Sequence, residues 1–456
     1  MHGERGTENC GNYYGSVYEE YKMSTWFMNN IILRSECRGD SYMGNDRYNK
    51  IQTLEALFEN FIVILFFFVL ELRWQIELFY GHVINPYYLI SGISIVFIIY
   101  KILLSILHKK YFNVVFIVVL FSILYCFCIY VINIRELITI DKYYAHTYLG
   151  VWCINLALFI IATDYCFFYR IKNSKLFVYL YIILLLSPII LMLYLGHYME
   201  AGFSLNNQVE MMGLWNESNH GIVYQSYGDK IVLLTLFFIN IYPKYKKIII
   251  CITLISLYIV GSKASFVAFV ATLIVYYLVK SYNNKQFGRM LSVISLILGT
   301  GILFKLLPKF IEYSSSMANS WLFNLLYLRN RDISFMTRES IFMENMKTFW
   351  DRFFLGDYLF DVKLGRPGTY THNALAFIDY YGIVIFLFYI LVWMSIIFSL
   401  TCEIRKNNFV INTTFYSMVF MSVLFIGARN GMDYLTYWVL GMAVLSIQYK
   451  YKIKKI

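Results

Sequence analysis

PKYKKIIICITLISLYIVGSKASFVAFVATLIVYYLVKSYNNK, residues 243–285, holds the choice on which the fold turns. Residues 248–279 form one apolar stretch, interrupted only by Gly261-Ser262-Lys263. A single crossing of the hydrocarbon layer takes about 20 residues, so this stretch is too long for one span and short for two. The flanking charges decide. Lys244, Lys246 and Lys247 precede it, and Lys280, Lys285 and Arg289 follow it. One crossing would leave one basic cluster outside; two crossings keep both in the cytoplasm, as the positive-inside rule requires. Gly261 and Ser262 then form the turn of a tight helical hairpin whose tip points outward. Because both arms are short, Lys263 is expected below the outer surface, at protein-buried depth.

The rest of the chain agrees with a membrane setting. Of 456 residues, 59% are hydrophobic and 15% charged, with mean hydropathy +0.57; a water-soluble domain carries about 25% charged residues. The same composition excludes disorder and a disulfide scaffold. The net charge of +11 lies between the apolar runs, where it sets orientation rather than binding nucleic acid. Cys126, Cys128, Cys153, Cys166 and Cys251 fall within apolar runs and no C-x-x-C pair exists, so neither a metal site nor a disulfide is assigned. Residues 1–55 read as a polar, cytoplasmic N-terminal segment, without the pattern of a secretory signal.

Apolar runs occur at about 56–73, 86–107, 112–134, 148–169, 176–195, 221–241, 248–260, 264–279, 290–307, 373–400, 409–427 and 434–449. They predict an all-α polytopic integral membrane protein of about 12 transmembrane helices over 56–456, both termini cytoplasmic. Lys109/Lys110, Arg170/Lys172/Lys175, Arg405/Lys406 and Lys450/Lys452/Lys454/Lys455 then lie inside. The large connection, 308–372, is extracytoplasmic. Its eight basic residues are offset by seven acids, and long loops translocate regardless of charge. Thr337 is placed to cap a loop helix running to about Trp350, with Phe342, Met346 and Phe349 on one face.

Charges at membrane depth are functional candidates. Lys263 is weighed against a lysine snorkelling to the outer headgroups. His372 stands in GTYTHN, residues 368–373, where the loop re-enters the membrane; a histidine there is able to exchange a proton near neutral pH. Asp379 lies about two helical turns on, able to share its face. The plainer reading is a histidine making a helix-cap contact with Asn373. Arg338 opens the loop helix, where a guanidinium and a helix N-terminus together favour an anion. Arg329, Arg331, Arg352 and Arg366 are further loop cations, and most loop arginines only solvate a surface. Arg429 and Asp433, in the last outer loop, are placed to complete or neutralise an anion site. Asp164 and Lys101 lie in spans without visible partners. Together these residues suggest an outward-facing, cation-rich pocket suited to a membrane-borne phosphate compound.

Three motifs also resemble a known family. Gly261-Ser262-Lys263-Ala264-Ser265 between two short spans resembles the Gly-Ser-Arg-small tip of the bacterial O-antigen polymerase and ligase superfamily (Wzy and WaaL types). Arg338-Glu339-Ser340-Ile341 through Phe349-Trp350 to Phe353-Phe354-Leu355-Gly356 resembles its arginine-bearing helix and terminal glycine turn. His372-Asn373-Ala374-Leu375, then Tyr381-Gly382-Ile383, resembles its His-Asn…Leu…Gly signature. The motifs follow the family's order but occupy only 260–382. The resemblance implies a GT-C-like glycosyltransferase of the bacterial inner membrane, using neither nucleotide sugar, metal nor other cofactor. Its substrate would be an undecaprenyl-diphosphate-linked oligosaccharide, joined to a lipid-linked repeat unit on the outer face to build O-antigen lipopolysaccharide or capsule. His372 would be the general base. Lys263 and Arg338 would hold the diphosphate, with Arg366 and Asn373 assisting. Membrane lipids, a chain-length regulator and a flippase are the implied partners.

This sequence departs from the family at the tip, where Lys263 replaces the usual arginine and loses its planar two-bond grip. That shifts phosphate contact toward Arg338 or Arg366. Repeat-unit polymerase is the leading reading. O-antigen ligase shares the chemistry and differs in acceptor; a lipid-linked oligosaccharide flippase or transporter is the non-enzymatic alternative, expected to carry charges in discontinuous mid-membrane helices.

Overall fold

The structure is a computed structural model. It describes residues 46–73, 86–108, 114–140, 142–195, 224–286, 288, 333–364, 374–401, 403–404, 408–429 and 434–455. These are about nine-tenths helical, with no strand among the described residues. In chain order the helices are α1 (Asp46–Ile64), continued by a π-helical turn at Leu65–Val69, α2 (Pro86–His108), α3 (Val114–Ile140), α4 (Lys142–Ala162), α5 (Tyr165–Asn173) and α6 (Lys175–Leu195). Then come α7 (Tyr224–Ile241), α8 (Lys246–Val260), α9 (Lys263–Asn283), α10 (Ile333–Lys347), α11 (Phe349–Arg352), α12 (Phe360–Lys363), α13 (Leu375–Tyr381), α14 (Ile383–Thr401), α15 (Phe409–Gly427) and α16 (Tyr434–Lys455).

Over their described residues the apolar runs fall on helix, apart from breaks at 163–164 and 382; the run 290–307 lies outside the described residues. Among the described residues, five helices are long and apolar enough to cross a membrane, or six if a bent pair counts as one span. That fits a helical membrane protein. The side chains agree. On α14, Val384, Leu387, Leu391 and Phe398 are exposed; on α2, Leu89, Val96, Ile99 and Leu103 are. Helices that apolar on their outer faces need hydrocarbon around them, and only helices and closed barrels satisfy their backbone there.

Residues 58–456 form one compact unit. Its core is helix against helix: α4 packs on α16 and α2, α9 and α7 pack on α15, and α8 packs on α6 and α7. Phe67, Phe167, Phe168 and Trp438 meet edge-on or tilted inside it, with ring centroids 5.2–5.9 Å apart. Aromatic edges and faces are electrostatically complementary, which favours this arrangement over parallel stacking.

Three elements differ from the sequence expectation. The run at 148–169 is not one straight helix: α4 ends at Ala162 and α5 leaves at 81°. Asp164 causes the break, because its carboxylate accepts from Cys166 N–H at 2.9 Å and caps α5. The loop helix begins at Ile333, so Thr337 lies inside it and does not cap it. Phe335 extends the spacing of Phe342 and Phe349 back by one heptad, and the helix follows. The third difference is at Gly382, which divides the run 373–400 into α13 and α14.

Candidate functional site

The hairpin is formed as the sequence suggests. Gly261 adopts φ 78° and closes α8, its N–H reaching Leu257 O at 3.1 Å and Tyr258 O at 3.2 Å. Lys263 opens α9 and is half-buried. Ser262 and Ser265, on either side of it, are buried and turn inward, with Oγ atoms 2.6 Å apart. Ser265 Oγ donates to Asp229 Oδ1 at 2.5 Å. The other carboxylate oxygen, Oδ2, accepts from Arg429 Nε at 2.8 Å, while Arg429 Nη1 donates to Ala428 O at 3.0 Å. Gly228 lets α7 approach this closely, since a Cβ there would lie 2.4 Å from Ser262 Oγ. The tip of the hairpin, the start of α7 and the end of α15 thus meet in one buried polar knot.

A second buried pair lies beside it. Lys230 donates to Glu71 and to Phe66 O (2.9 Å), and its ammonium stands 4.0 Å from the centre of the Phe66 ring. Ser226 Oγ donates to Glu71 Oε1 at 3.0 Å. Asp229 and Lys230 are consecutive, so they leave α7 about 100° apart and serve different neighbours. Each buried charge is paired, the condition under which a low-dielectric interior tolerates it.

The two loop motifs of the resemblance are bound to each other through their backbones. Ile383 N–H donates to Phe353 O at 2.8 Å, and Asp357 N–H to Asp379 O at 2.6 Å. Gly356 (φ 71°) and Gly382 (φ 81°) sit at this crossing. A Cβ on Gly382 would fall 2.1 Å from Phe354 O, and one on Gly356 2.5 Å from Tyr380 C. Only glycine offers both the left-handed conformation and the clearance. Beneath the crossing, Arg352 is buried. It reaches Asp379 Oδ1 from Nη2 at 3.2 Å, Thr348 Oγ1 at 2.7 Å and Asn345 O at 3.3 Å, and its guanidinium lies 4.0 Å from the Phe360 ring centre.

Among the expected site residues, Lys263 and Arg429 are placed at the same end of the hairpin, joined through Ser262, Ser265 and Asp229. Arg338 lies on α10; its side chain lies outside the described residues, as do Arg366, His372, Asn373 and Asp433 entirely. Asp379 gives its carboxylate to Arg352; the face it was expected to share with His372 involves a residue outside the described ones. Arg352, grouped with the surface cations, is a buried clamp. Lys101 and Asp164 also have partners: Lys101 is 3.0 Å from Glu59, and Arg170 bridges Glu59 and Asp164. Sequence reading missed Asp229, Lys230, Glu71 and Glu59. The charged dipeptide Asp229-Lys230 inside an apolar run was the available signal.

The loop is tied to the bundle at its return. Lys363 Nζ reaches Asp357 at 2.7 Å, Glu136 at 3.0 Å and Asn133 Oδ1 at 3.0 Å. Burial pulls the Lys363 ammonium toward neutrality, but the two carboxylates outweigh it and hold its pKa above the ordinary lysine value of 10.5. Trp152 Nε1 donates to Tyr358 Oη at 3.4 Å, and Tyr380 Oη to Asp361 at 3.0 Å.

No family model, curated protein or solved structure matches this chain.

Proposed function

We propose that the protein is a metal-independent, lipid-linked oligosaccharide glycosyltransferase: the polymerase of O-antigen or capsular repeat units, acting on the outer face of the bacterial inner membrane. The observation that carries this reading is the interlock of the two loop motifs. Phe353–Asp357, which follows the helix of Arg338, and Asp379–Ile383, which follows His372 in the sequence, are joined backbone to backbone at Gly356 and Gly382. The cationic hairpin tip, steadied by Asp229, supplies the second half of the site.

In this mechanism His372 accepts the proton of the acceptor sugar hydroxyl. The oxygen attacks the anomeric carbon of the donor, the carbon–oxygen bond to phosphate breaks, and undecaprenyl diphosphate leaves with the electron pair. Lys263 and Arg338 stabilise the charge that develops on the diphosphate, the largest electrostatic help a protein can give here. Arg366, Asn373, Arg429 and Asp433 bound the substrate. Holding donor and acceptor side by side contributes through proximity.

Complementation of a polymerase-deficient strain, with surface polysaccharide resolved on a gel, tests it. Wild type is expected to restore a ladder; His372→Ala and Arg338→Ala are expected to leave single-repeat product while inserting normally. Lys263→Arg is expected to be tolerated and Lys263→Ala not. Ladders from both the His372 and Arg338 variants would remove the assigned site. Loss of polysaccharide transfer to lipopolysaccharide core, with polymer still made on the polyprenyl carrier, would indicate the ligase.

A second reading, a flippase or transporter, is favoured by one observation: the adjacent buried pairs Asp229–Arg429 and Lys230–Glu71 within the helical bundle. It predicts that breaking either pair prevents even single repeats from reaching the surface.

A further inference from the structure

One apolar surface of the molecule lies outside the spanning helices, on the short α11 and the turn after it. Trp350, Phe354 and Leu355 are 69%, 70% and 87% exposed, whereas the other described tryptophans, Trp152, Trp393 and Trp438, are buried. The exposed rings are contiguous: the half-buried Phe353 lies between Trp350 and Phe354, its ring centroid 5.1 Å from one and 5.3 Å from the other. Leu355 follows directly. Lys347, Thr348 and Asp351, close by in sequence, are exposed as well. A contiguous aromatic and aliphatic patch is rarely left to water, and marks a contact with a partner or a membrane.

Backbone geometry fixes the depth of this patch, and the depth names the partner. α14 has 19 residues, a length of about 28 Å that matches the thickness of the hydrocarbon layer. Its exposed residues, from Val384 in the first turn through Leu387 and Leu391 to Phe398, form one stripe that faces lipid. The first N–H groups of a helix have no partner within it. At α14 the N–H of Ile383 is taken by Phe353 O, 2.8 Å away. Phe354 O and Leu355 C lie against Gly382 at the same point, closer than any Cβ would allow. Phe353–Leu355 thus caps α14 where that helix leaves the hydrocarbon, one hydrogen bond from the turn that carries Val384. Tryptophan and other aromatic rings concentrate at this boundary, and a lysine beside them reaches the headgroups with its ammonium. We propose that Trp350, Phe354 and Leu355 form an interfacial anchor, seated among the headgroups and upper acyl chains of the leaflet where α14 begins. The partner is the bilayer lipid itself. The inference requires only that α14 cross the membrane, and is independent of the glycosyl-transfer reading.

Nitroxide labels on the full-length, cysteine-free protein in phosphatidylcholine vesicles test it, read by their collisions with oxygen and with a water-soluble nickel chelate. Phe354→Cys and Leu355→Cys place the label at exposed positions. Leu391→Cys, on the lipid-facing stripe of α14, supplies the hydrocarbon reference, and Asn284→Cys, exposed in the turn after α9, the aqueous one. Labels at 354 and 355 should favour oxygen over the chelate as position 391 does, at a depth of about 5–10 Å into the boundary between headgroups and acyl chains. Chelate access equal to that at 284 would place the patch in water and overturn the proposal. So would few collisions with either reagent, the sign of a second copy of the chain or another segment covering the patch. A measurement on the wild-type protein needs no substitution: a phospholipid bearing a diazirine is photolysed in the same vesicles, and adducts are located by peptide mass spectrometry. Residues 350–355 should carry adducts together with α14. Adducts on α14 and none on 350–355 would overturn the proposal.

Discussion

The hairpin tip and the loop crossing hold their charges in opposite ways. At the crossing, backbone meets backbone: two glycines, two main-chain hydrogen bonds and the Arg352–Asp379 clamp fix a geometry that side chains only support. At the tip, helix packing brings side chains together, and the chain Ser262–Ser265–Asp229–Arg429 is itself the joint. A backbone crossing is rigid by construction. A side-chain relay can re-form around a new anion, because Arg429 and Lys263 are cations whose present contacts a phosphate could rival. On the proposed glycosyl-transfer reading, the crossing serves as scaffold and the tip as the binding half.

Substitutions break this contrast in order of size. Asp379→Ala leaves Arg352 buried and uncompensated, which costs about 3–5 kcal/mol; melting of the detergent-solubilised protein should register it as the largest loss. Removing both partners together, Arg352→Met with Asp379→Leu, should recover most of that loss, since the pair itself adds little over apolar packing. Gly382→Ala forces a Cβ onto Phe354 O in a left-handed conformation; strain of about 1–3 kcal/mol, plus the clash, is expected in the same assay. Ser265→Ala should cost only about 1 kcal/mol of stability. Its effect on activity in the complementation assay should exceed that of Gly382→Ala at matched expression, because it loosens the tip rather than the scaffold.

The smallest effect concerns Lys363. Its pKa is raised in the folded protein, so the ion pairs with Asp357 and Glu136 contribute fully below the unfolded lysine value and are lost as pH rises through the higher folded value. Lys363→Met should therefore lower stability by about 1 kcal/mol or less near pH 8. The gap from wild type should close as pH rises past 10.5 and through the higher folded value. A gap that widened with pH would contradict the assignment.

The helices were legible because apolar runs of spanning length leave few alternatives, and the turn at Gly261 because basic clusters flank both arms. The two glycine turns were visible as motifs, yet not as partners of each other. Nothing local in Phe353–Gly356 announces a hydrogen bond to Ile383; that needs the chain's return path. The buried pairs were illegible for the same reason. Glu59 meets Arg170, Glu71 meets Lys230 and Asp229 meets Arg429 across long separations in sequence. Each charge alone resembles a stray polar residue in an apolar run. Asp164 could have been read as a helix cap followed by a break, but the continuing apolar run concealed it.

Side-specific labelling decides whether the tip and the loop share a pocket. In a cysteine-free background, Lys263→Cys and His372→Cys would each be exposed to a membrane-impermeant maleimide applied to intact spheroplasts. The account predicts that both react from outside and that a diphosphate such as inorganic pyrophosphate slows both. Reaction of the two positions from opposite faces would contradict it.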